Sequence, residues 1–427
     1  MITIDFINVL KESIGSSHGV SERALERFCT KQQNAVDVVF KNKKTYGYDF
    51  LNLPDNRSLV TKIKKFVSDQ KKNKWEHIVV LGIGGSALGA IAVRNAILPN
   101  SGQPKLWVMD NVDPDEVSEA LKELNLKKTL FVVISKSGST VEPMTLYAVF
   151  RNELLKKVPA KELQKHFVFV TDPKKGLLRP IAKKEGITTF DVPPNLGGRF
   201  SVLSAVGLVP LALAGVDINA LLKGAKEMCE TIKKTKSTEN PALLLAAIQF
   251  LADWKKGKVM TVLMSYSNKL AKISDWYCQL LAESIGKNKQ TGPTPIPAIG
   301  TTDQHSQLQL YAEGPNNKLI IFLKSEKHSP LKIPKGVLPQ ELSYLENKKV
   351  SEVLHAAHYG TAESLARNER PNLTLQVSDI KAETIGELFM LFEFQVALLG
   401  LMYKVNAFDQ PGVENGKKIT KKILTES

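Results

Sequence analysis

The strongest constraint on the fold is a regular alternation of short apolar strands and longer helical stretches between residues 76 and 191. The predicted strands are rich in valine, isoleucine and phenylalanine, and they read HIVVLGI, KLWVMD, LFVVIS, HFVFVT and TTFDV. One intervening helix begins with Asp113, Pro114 and Glu116, which suit an N-cap, a first-turn proline and an acid in the first turn. This alternation predicts an α/β fold, with a parallel sheet covered by helices on both faces.

A second strand–helix pattern follows a long helical stretch at about 201–256. Its predicted strands are KVMTVLMSY, KLIIFLKS and LTLQVS, and they indicate a second α/β unit built like the first. The chain start is helical and then polar, without a strong strand. We therefore predict an N-terminal helical arm at 1–45, a first domain at 46–215, and a second domain at 216–427 that includes a C-terminal segment.

Charge and cysteine content narrow the possible partners. Lysine and arginine total 58 against 43 acidic residues, a formal charge of +15 that favours anionic partners in general. The basic residues are scattered and are not interleaved with aromatic residues as in a single-strand groove, so we predict no nucleic-acid partner. The three cysteines are far apart, which predicts neither a disulfide framework nor a cysteine metal site.

Hydropathy indicates a cytoplasmic protein with no membrane partner. The N-terminus carries acids where a signal peptide needs a basic start and an unbroken apolar stretch. The apolar run at 388–403 contains Glu393 and Gln395, so it reads as a buried helix.

The loop GIGGSALG after the first strand fits two kinds of ligand. Its Gly82, Gly84 and Ala87 satisfy the G-x-G-x-x-A pattern of a dinucleotide site, and Asp110 ends the next strand where an acid could meet a ribose. An ordinary tight turn would use the same residues. A dehydrogenase is therefore one hypothesis, and Gly84 and Gly85 would equally let a sugar approach the backbone.

The loop SKSGST at 135–140 decides between these ligands. It carries four hydroxyls and one lysine directly before a predicted helix, which suits a terminal phosphate monoester. A serine or threonine helix cap without ligand is the alternative. Because the loops after neighbouring parallel strands form the crevice where α/β sheets bind ligands, this loop favours a sugar phosphate over a nucleotide.

A third loop, NLGGRFSVLSAVG at 195–207, sets Arg199 at the start of a predicted apolar helix that Ser201 could cap. Buried helix residues behind Arg199 predict that its guanidinium points into a cleft. An exposed arginine in a turn is the alternative.

The longer motifs resemble the signatures of the glucose-6-phosphate isomerase family. NLGGRFSVLSAVGL resembles one signature and GLMYKVNAFDQPGVENGKK, at 400–418, resembles the other. The segments GIGGSALG, SKSGST, LLAESIGK and GTTDQHSQLQL are similar to the family's remaining active-site segments, in the family's order. The resemblance spans about 79–418 and implies two sugar-isomerase (SIS) domains, each a doubly wound parallel sheet between layers of helices.

The resemblance also implies the site residues. Sugar contacts would come from Gly85 and Ser86, phosphate contacts from Ser135, Lys136, Ser137 and Thr140, and a further substrate contact from Gln410. The catalytic residues would be Arg199, Glu283, His305 and Lys417.

These residues suit interconversion of glucose 6-phosphate and fructose 6-phosphate without metal or cofactor. The family's proton-transferring base aligns with Glu283, Arg199 would stabilise an enediolate, and His305 with Lys417 would open the ring. The resemblance further implies a homodimer in which His305 reaches the neighbour's site. Two alternatives are an isomerase that also accepts mannose 6-phosphate and a non-catalytic SIS-domain sensor, although a sensor needs no proton-transfer base.

Overall fold

The computed structural model describes residues 2–99 and 104–426. Within those ranges the strands, numbered β1 to β10, are Ile2–Asp5, His77–Leu81, Lys105–Met109, Thr129–Ile134, Phe167–Thr171, Thr188–Asp191, Met260–Tyr266, Thr294–Ile299, Lys318–Ser325 and Asn372–Val377. The α-helices, α1 to α15, are Lys11–His18, Glu22–Lys41, Arg57–Gln70, Leu88–Ile97, Pro114–Glu123, Val141–Leu155, Leu178–Glu185, Ala205–Leu213, Ile218–Lys234, Pro241–Lys256, Ala271–Ile285, Leu308–Glu313, Val350–Arg367, Ala382–Tyr403 and Glu414–Glu426.

The chain divides into two compact units, each built around one sheet. The first, here called the Arg199 unit, consists of Phe40–Glu230 and Ile380–Met390. The second, the Glu283 unit, consists of Met1–Val39, Thr231–Asp379 and Leu391–Ser427. The domain limits that we expected from the sequence stay a prediction.

The sheet of the Arg199 unit has the strand order β3-β2-β4-β5-β6, and all neighbouring strands are parallel. All five strands expected between residues 76 and 191 are present, and Asp113 caps α5 as predicted by accepting the N–H groups of Asp115 and Glu116. After β2, the chain forms β3 on one side of β2 and then returns to form β4 on the other side of β2. The strand order therefore reverses between β2 and β4, which is where open α/β sheets form a ligand crevice.

The sheet of the Glu283 unit has the order β1-β10-β9-β7-β8. Strands β7 to β10 are parallel, whereas β1 pairs antiparallel with β10 and places Ile2 opposite Val377. The mixed α/β class with two doubly wound sheets is confirmed. The expectation of an N-terminal arm without a strand is wrong at residues 2–5, because the edge of β10 supplies a partner that a four-residue stretch cannot reveal.

Strand β8, with the sequence TPIPAI, was also absent from the sequence-based assignment. Its prolines, Pro295 and Pro297, argue against a strand because proline cannot donate to a ladder. In the part of the chain that the structure describes, β8 is an edge strand whose single partner is β7. Two prolines at alternate positions are tolerated there, since both missing N–H groups can face away from the single partner.

The apolar run at 388–403 lies in α14, and its interpretation as a buried helix is confirmed. Among the described residues, α14 is the helix long and apolar enough to cross a membrane, and 89% of its most apolar window is buried inside the chain. That burial is typical of a core helix.

Two polar residues of α14 have different surroundings. The side chain of Gln395 donates a hydrogen bond to Gln249 Oε1 at 2.6 Å. Glu393 is fully buried, and neither of its carboxylate oxygens has a hydrogen-bond partner among the described residues. Burial raises the pKa of Glu393 well above its usual value, so this carboxyl binds a proton when the chain folds.

We expect Glu393→Gln to be more stable than the parent protein at pH 8 and nearly equal to it at pH 5. The pKa of Glu393 is raised in the folded state. The stability that this side chain contributes is therefore complete below its unfolded-state pKa and is lost as the pH rises toward its folded-state pKa. Glutamine is neutral at both pH values, so the variant does not have to bind a proton when it folds. We therefore expect its free energy of unfolding at pH 8 to exceed that of the parent by about 1 kcal/mol or more. Urea unfolding at the two pH values measures this difference, and an equal shift at both would contradict it.

Candidate active site

The loop after β2 forms a short 3-10 turn at Gly84–Ser86, and Gly84 has a left-handed φ of 56°. A Cβ atom on Gly85 would lie 2.2 Å from the carbonyl carbon of Gly198 and 2.6 Å from the backbone nitrogen of Arg199. Glycine is therefore required at 85 for the close packing of this loop against the segment that carries Arg199. This backbone contact adds to the predicted sugar contacts of Gly85 and Ser86.

Ser201 holds the segment around Arg199 in a way that differs from the prediction. Its hydroxyl donates to the carbonyl of Gly198 at 2.6 Å and lies 3.4 Å from the carbonyl of Gly85. The N-cap of α8 is Ser204, which accepts from the backbone N–H of Val206. The prediction that Ser201 caps the helix is wrong, because Ser201 ends the preceding 3-10 turn and α8 begins only at Ala205.

Arg199 lies in this 3-10 turn, Gly198–Phe200, and is only 1% exposed. Its guanidinium carbon is 5.5 Å from the centre of the Phe200 ring. An arginine remains charged when buried, and a buried charge needs polar partners. The turn therefore places a fixed positive charge beside the glycine loop.

The loop after β4 brings three hydroxyls together in front of α6. The hydroxyl of Thr140 lies 3.0 Å from that of Ser135 and 3.2 Å from that of Ser137. Thr140 is the N-cap residue of α6, yet its side chain makes no cap hydrogen bond. The first N–H groups of this fifteen-residue helix and the hydroxyl cluster together suit an anion such as a phosphate.

The turn after β5 fixes the shape of this hydroxyl loop. A Cβ on Gly176 would lie 2.0 Å from the carbonyl oxygen of Ser137, so only glycine allows the two loops to touch. The buried Asp172 accepts the N–H groups of Lys174 and Lys175, and its own N–H donates to the carbonyl of Lys136. Sequence analysis did not single out this supporting turn.

Lys136 joins the hydroxyl loop to the segment that precedes Arg199. Its ammonium donates to the carbonyl oxygens of Pro194 at 2.6 Å and Leu196 at 2.9 Å. Burial lowers the pKa of Lys136, and the nearby carboxylate of Asp172 partly offsets this effect. Two of the three ammonium hydrogens bind backbone, which leaves one for the phosphate contact predicted at this residue.

In the Glu283 unit, Glu283 lies in the last turn of α11 and is partly buried. The side-chain amide of Gln279, one turn earlier, donates to Glu283 Oε1 at 2.9 Å. Sequence analysis did not identify Gln279, although a spacing of four residues places the two side chains on the same helix face. This hydrogen bond orients the carboxylate.

Lys287 connects the Glu283 helix to the segment that carries Gln410. Its ammonium donates to the carbonyl oxygen of Glu283 at 2.7 Å, to Asp409 Oδ1 at 3.0 Å and to the Asp409 carbonyl oxygen. The Lys287 side chain is 10% exposed, so the ion pair with Asp409 is shielded from water on the lysine side. Lys287 belongs to the motif LLAESIGK, but nothing local shows that its partner is Asp409.

His305 and Lys417 lie at exposed positions of the Glu283 unit. His305 ends a 3-10 turn, Thr302–His305, in which Asp303 accepts from the Ile299 N–H and the Ser306 hydroxyl. Lys417 is on α15 and pairs with Glu414 at 2.7 Å. Neither residue forms a hydrogen bond to Glu283 within the part of the chain that the structure describes.

Comparison with known proteins shows the family to which this chain belongs. The family described as phosphoglucose isomerase matches residues 52–427. The chain belongs to the phosphoglucose isomerase family. A glucose-6-phosphate isomerase of Carboxydothermus hydrogenoformans is 40% identical over 99% of this chain and 94% of its own length.

Solved structures show the same fold for this isomerase-family chain. A hypothetical protein of Thermus thermophilus superposes with a TM-score of 0.90 at 34% identity, covering 99% of this chain and all of the other. A glucose-6-phosphate isomerase of Chlamydia trachomatis has a TM-score of 0.83 at 24% identity, covering 99% of this chain and 88% of the other. The resemblance expected from the motifs is therefore confirmed at the level of family and fold.

Proposed function

We propose that this protein interconverts glucose 6-phosphate and fructose 6-phosphate. The observation that carries the proposal is the cluster of Ser135, Ser137 and Thr140 hydroxyls before the uncapped start of α6, at the point where the strand order reverses. This arrangement suits the phosphate of a sugar phosphate. Membership of the phosphoglucose isomerase family supports the choice of reaction.

The proposed chemistry moves one proton between neighbouring carbons. The Glu283 carboxylate removes the proton from C2 of the open-chain aldose, and the electron pair of that bond forms an enediolate with its negative charge on oxygen. The fixed charge of Arg199 stabilises this oxygen. A proton passes from the C2 hydroxyl to O1, and Glu283 returns its own proton to C1, which gives the ketose, so the base is regenerated and no oxidant is consumed.

The remaining residues keep supporting roles in this proposal. His305 and Lys417 transfer protons to the ring oxygen and from the anomeric hydroxyl, which opens the pyranose. Gly85, Ser86 and Gln410 contact the sugar, and Gln279 and Lys287 hold Glu283 and the Gln410 segment in place. No metal or organic cofactor enters these steps.

We further propose a cytoplasmic homodimer. The exposed position of His305 supports a role in the neighbouring subunit's site, since no hydrogen bond ties it to Glu283 among the described residues.

A coupled assay with fructose 6-phosphate tests the proposed reaction directly. We expect turnover without added metal or cofactor, and binding without turnover would instead indicate the SIS-domain sensor. The same assay with mannose 6-phosphate distinguishes a dual-specificity isomerase.

Complementation between inactive chains tests the shared site. When Glu283→Gln and His305→Ala chains are dissociated, mixed and allowed to reassociate, about half of the dimers should contain both. Each mixed dimer has one site with an intact Glu283 and an intact His305, so roughly a quarter of the parent activity should return. No recovery after demonstrated chain exchange would show that each subunit builds its own site.

A further inference from the structure

A groove lies on the surface of the Arg199 unit between helices α3 and α9. It consists of two adjoining cavities, of about 510 and 290 Å³, that share Lys64 and Asn219. Volumes in this range are typical of small-molecule sites. No residue of the glycine loop or the hydroxyl loop lines either cavity.

One face of α3 forms one wall of the groove. The lining residues of α3 recur at the spacing of a single helix face, and they are Arg57, Val60, Thr61, Lys64, Val67 and Ser68; Lys71, in the 3-10 turn that follows α3, continues this row. At a rise of 1.5 Å per residue, this face extends for about 21 Å. The opposite wall comes from one face of α9, with Asn219, Leu222, Lys223 and Lys226.

The groove has an excess of positive charge. Its cations are Arg57, Lys64, Lys71, Lys223 and Lys226, and its carboxylates are Asp55 and Asp217. Both carboxylates are already engaged, because Asp55 pairs with Lys226 at 2.7 Å and Asp217 accepts the N–H groups of Asn219 and Ala220. Lys223 in turn lies 3.7 Å from Glu227 Oε1, so the cations that remain for an anion are Arg57, Lys64 and Lys71.

Three of these cations have no acidic partner. Arg57, Lys64 and Lys71 are exposed, and none of their side chains forms an ion pair with a described residue. They recur every seven residues along the same row. Like charges held on one face repel one another, and a ligand with several negative charges would relieve that repulsion.

The bottom of the groove is apolar. Leu222, Val216 and Ile218 are buried there, and Val60 and Val67 are partly buried beside them. Thr61 and Asn219 add hydrogen-bonding groups to the walls. A ligand that fills the groove thus needs an apolar part as well as several charges, which an inorganic anion does not provide.

We propose that this groove binds a nucleoside triphosphate, with its phosphates on Arg57 and Lys64 and its base on the apolar floor formed by Val60 and Leu222. The site is independent of the proposed isomerase reaction. A mononucleotide needs the combination present here, which is adjacent cations, an apolar surface and polar groups at its edge.

Calorimetric titration of the full-length protein with ATP tests the proposal, with inorganic triphosphate and adenosine as partial ligands. At 0.15 M salt, where weak surface attraction is screened, we expect ATP to bind more tightly than either. The double variant Arg57→Ala/Lys64→Ala should lower ATP affinity by about tenfold or more. The matched control Lys65→Ala/Lys72→Ala removes the same charge from positions that do not line the groove, and it should retain the parent affinity.

Two further measurements distinguish the groove from the sugar-phosphate loops and from charge attraction alone. Val60→Ser should weaken ATP binding but leave triphosphate binding unchanged, because only the nucleoside uses the apolar floor. ATP should also bind in the presence of saturating 6-phosphogluconate, whereas displacement would place ATP in the sugar-phosphate loops and refute the groove. Absence of ATP binding, triphosphate affinity equal to that of ATP, or equal losses in the two double variants would likewise overturn the proposal. None of these results depends on isomerase activity.

Discussion

Replacement of Glu283 by glutamine is expected to lower turnover with fructose 6-phosphate by about 10²–10⁴-fold while sugar-phosphate binding is retained. Glutamine keeps the shape of the side chain and can still accept the hydrogen bond from Gln279, but it cannot take up the proton from C1 of the ketose or from C2 of the aldose. Exchange of solvent deuterium into the substrate should disappear together with turnover. The coupled assay, mass spectrometry of the sugar phosphate and a thermal shift with 6-phosphogluconate measure the three quantities.

A matched control for this variant is Glu313→Gln, which neutralises an exposed glutamate at the end of α12. It should leave turnover and exchange unchanged. If Glu283→Gln instead keeps more than a few per cent of the parent turnover, Glu283 is not the base.

Replacement of Gly85 by alanine is expected to reduce kcat/KM by about tenfold or more. The added methyl group would lie 2.2 Å from the backbone of Gly198, far inside van der Waals contact, so the glycine loop and the Arg199 turn must move apart. Displacement of backbone cannot be relieved by a change of rotamer. Steady-state kinetics and thermal unfolding measure the effects on catalysis and stability.

The opposite side of the same contact provides the control. A Cβ on Gly198 would find its nearest neighbour, Gly85 Cα, at 3.8 Å, which is ordinary contact. Gly198→Ala should therefore remain close to the parent in kcat/KM and in unfolding temperature. Equal losses of kcat/KM in the two variants would contradict the prediction, because they would show that the close approach of Gly85 to the Gly198 backbone does not determine the effect.

Local periodicity was sufficient to predict most of the sheet strands. The central strands between residues 76 and 191, β2, β4 and β5, are buried on both faces, so they appear in the sequence as continuous apolar runs, and the helices between them separate one from the next. Strands β1 and β8 were not predicted, although the edge strands β3 and β6 were, because β1 is short and lies outside the strand–helix alternation and β8 contains two prolines. A four-residue stretch and a stretch with two prolines do not specify a partner strand.

In the candidate site too, some features follow from the sequence and others depend on the fold. The sequence by itself determined the family and the residue types at the loops, because the glycines, hydroxyls, Arg199 and Glu283 lie in motifs that are contiguous in the chain. Only the tertiary structure decided what holds those residues in place. Lys136 binds carbonyl groups about 60 positions away, and Lys287 binds Asp409 across 122 positions. A lysine carries three donors and a long flexible chain, so its acceptor is chosen by whichever backbone the fold brings within reach and not by its neighbours in the sequence.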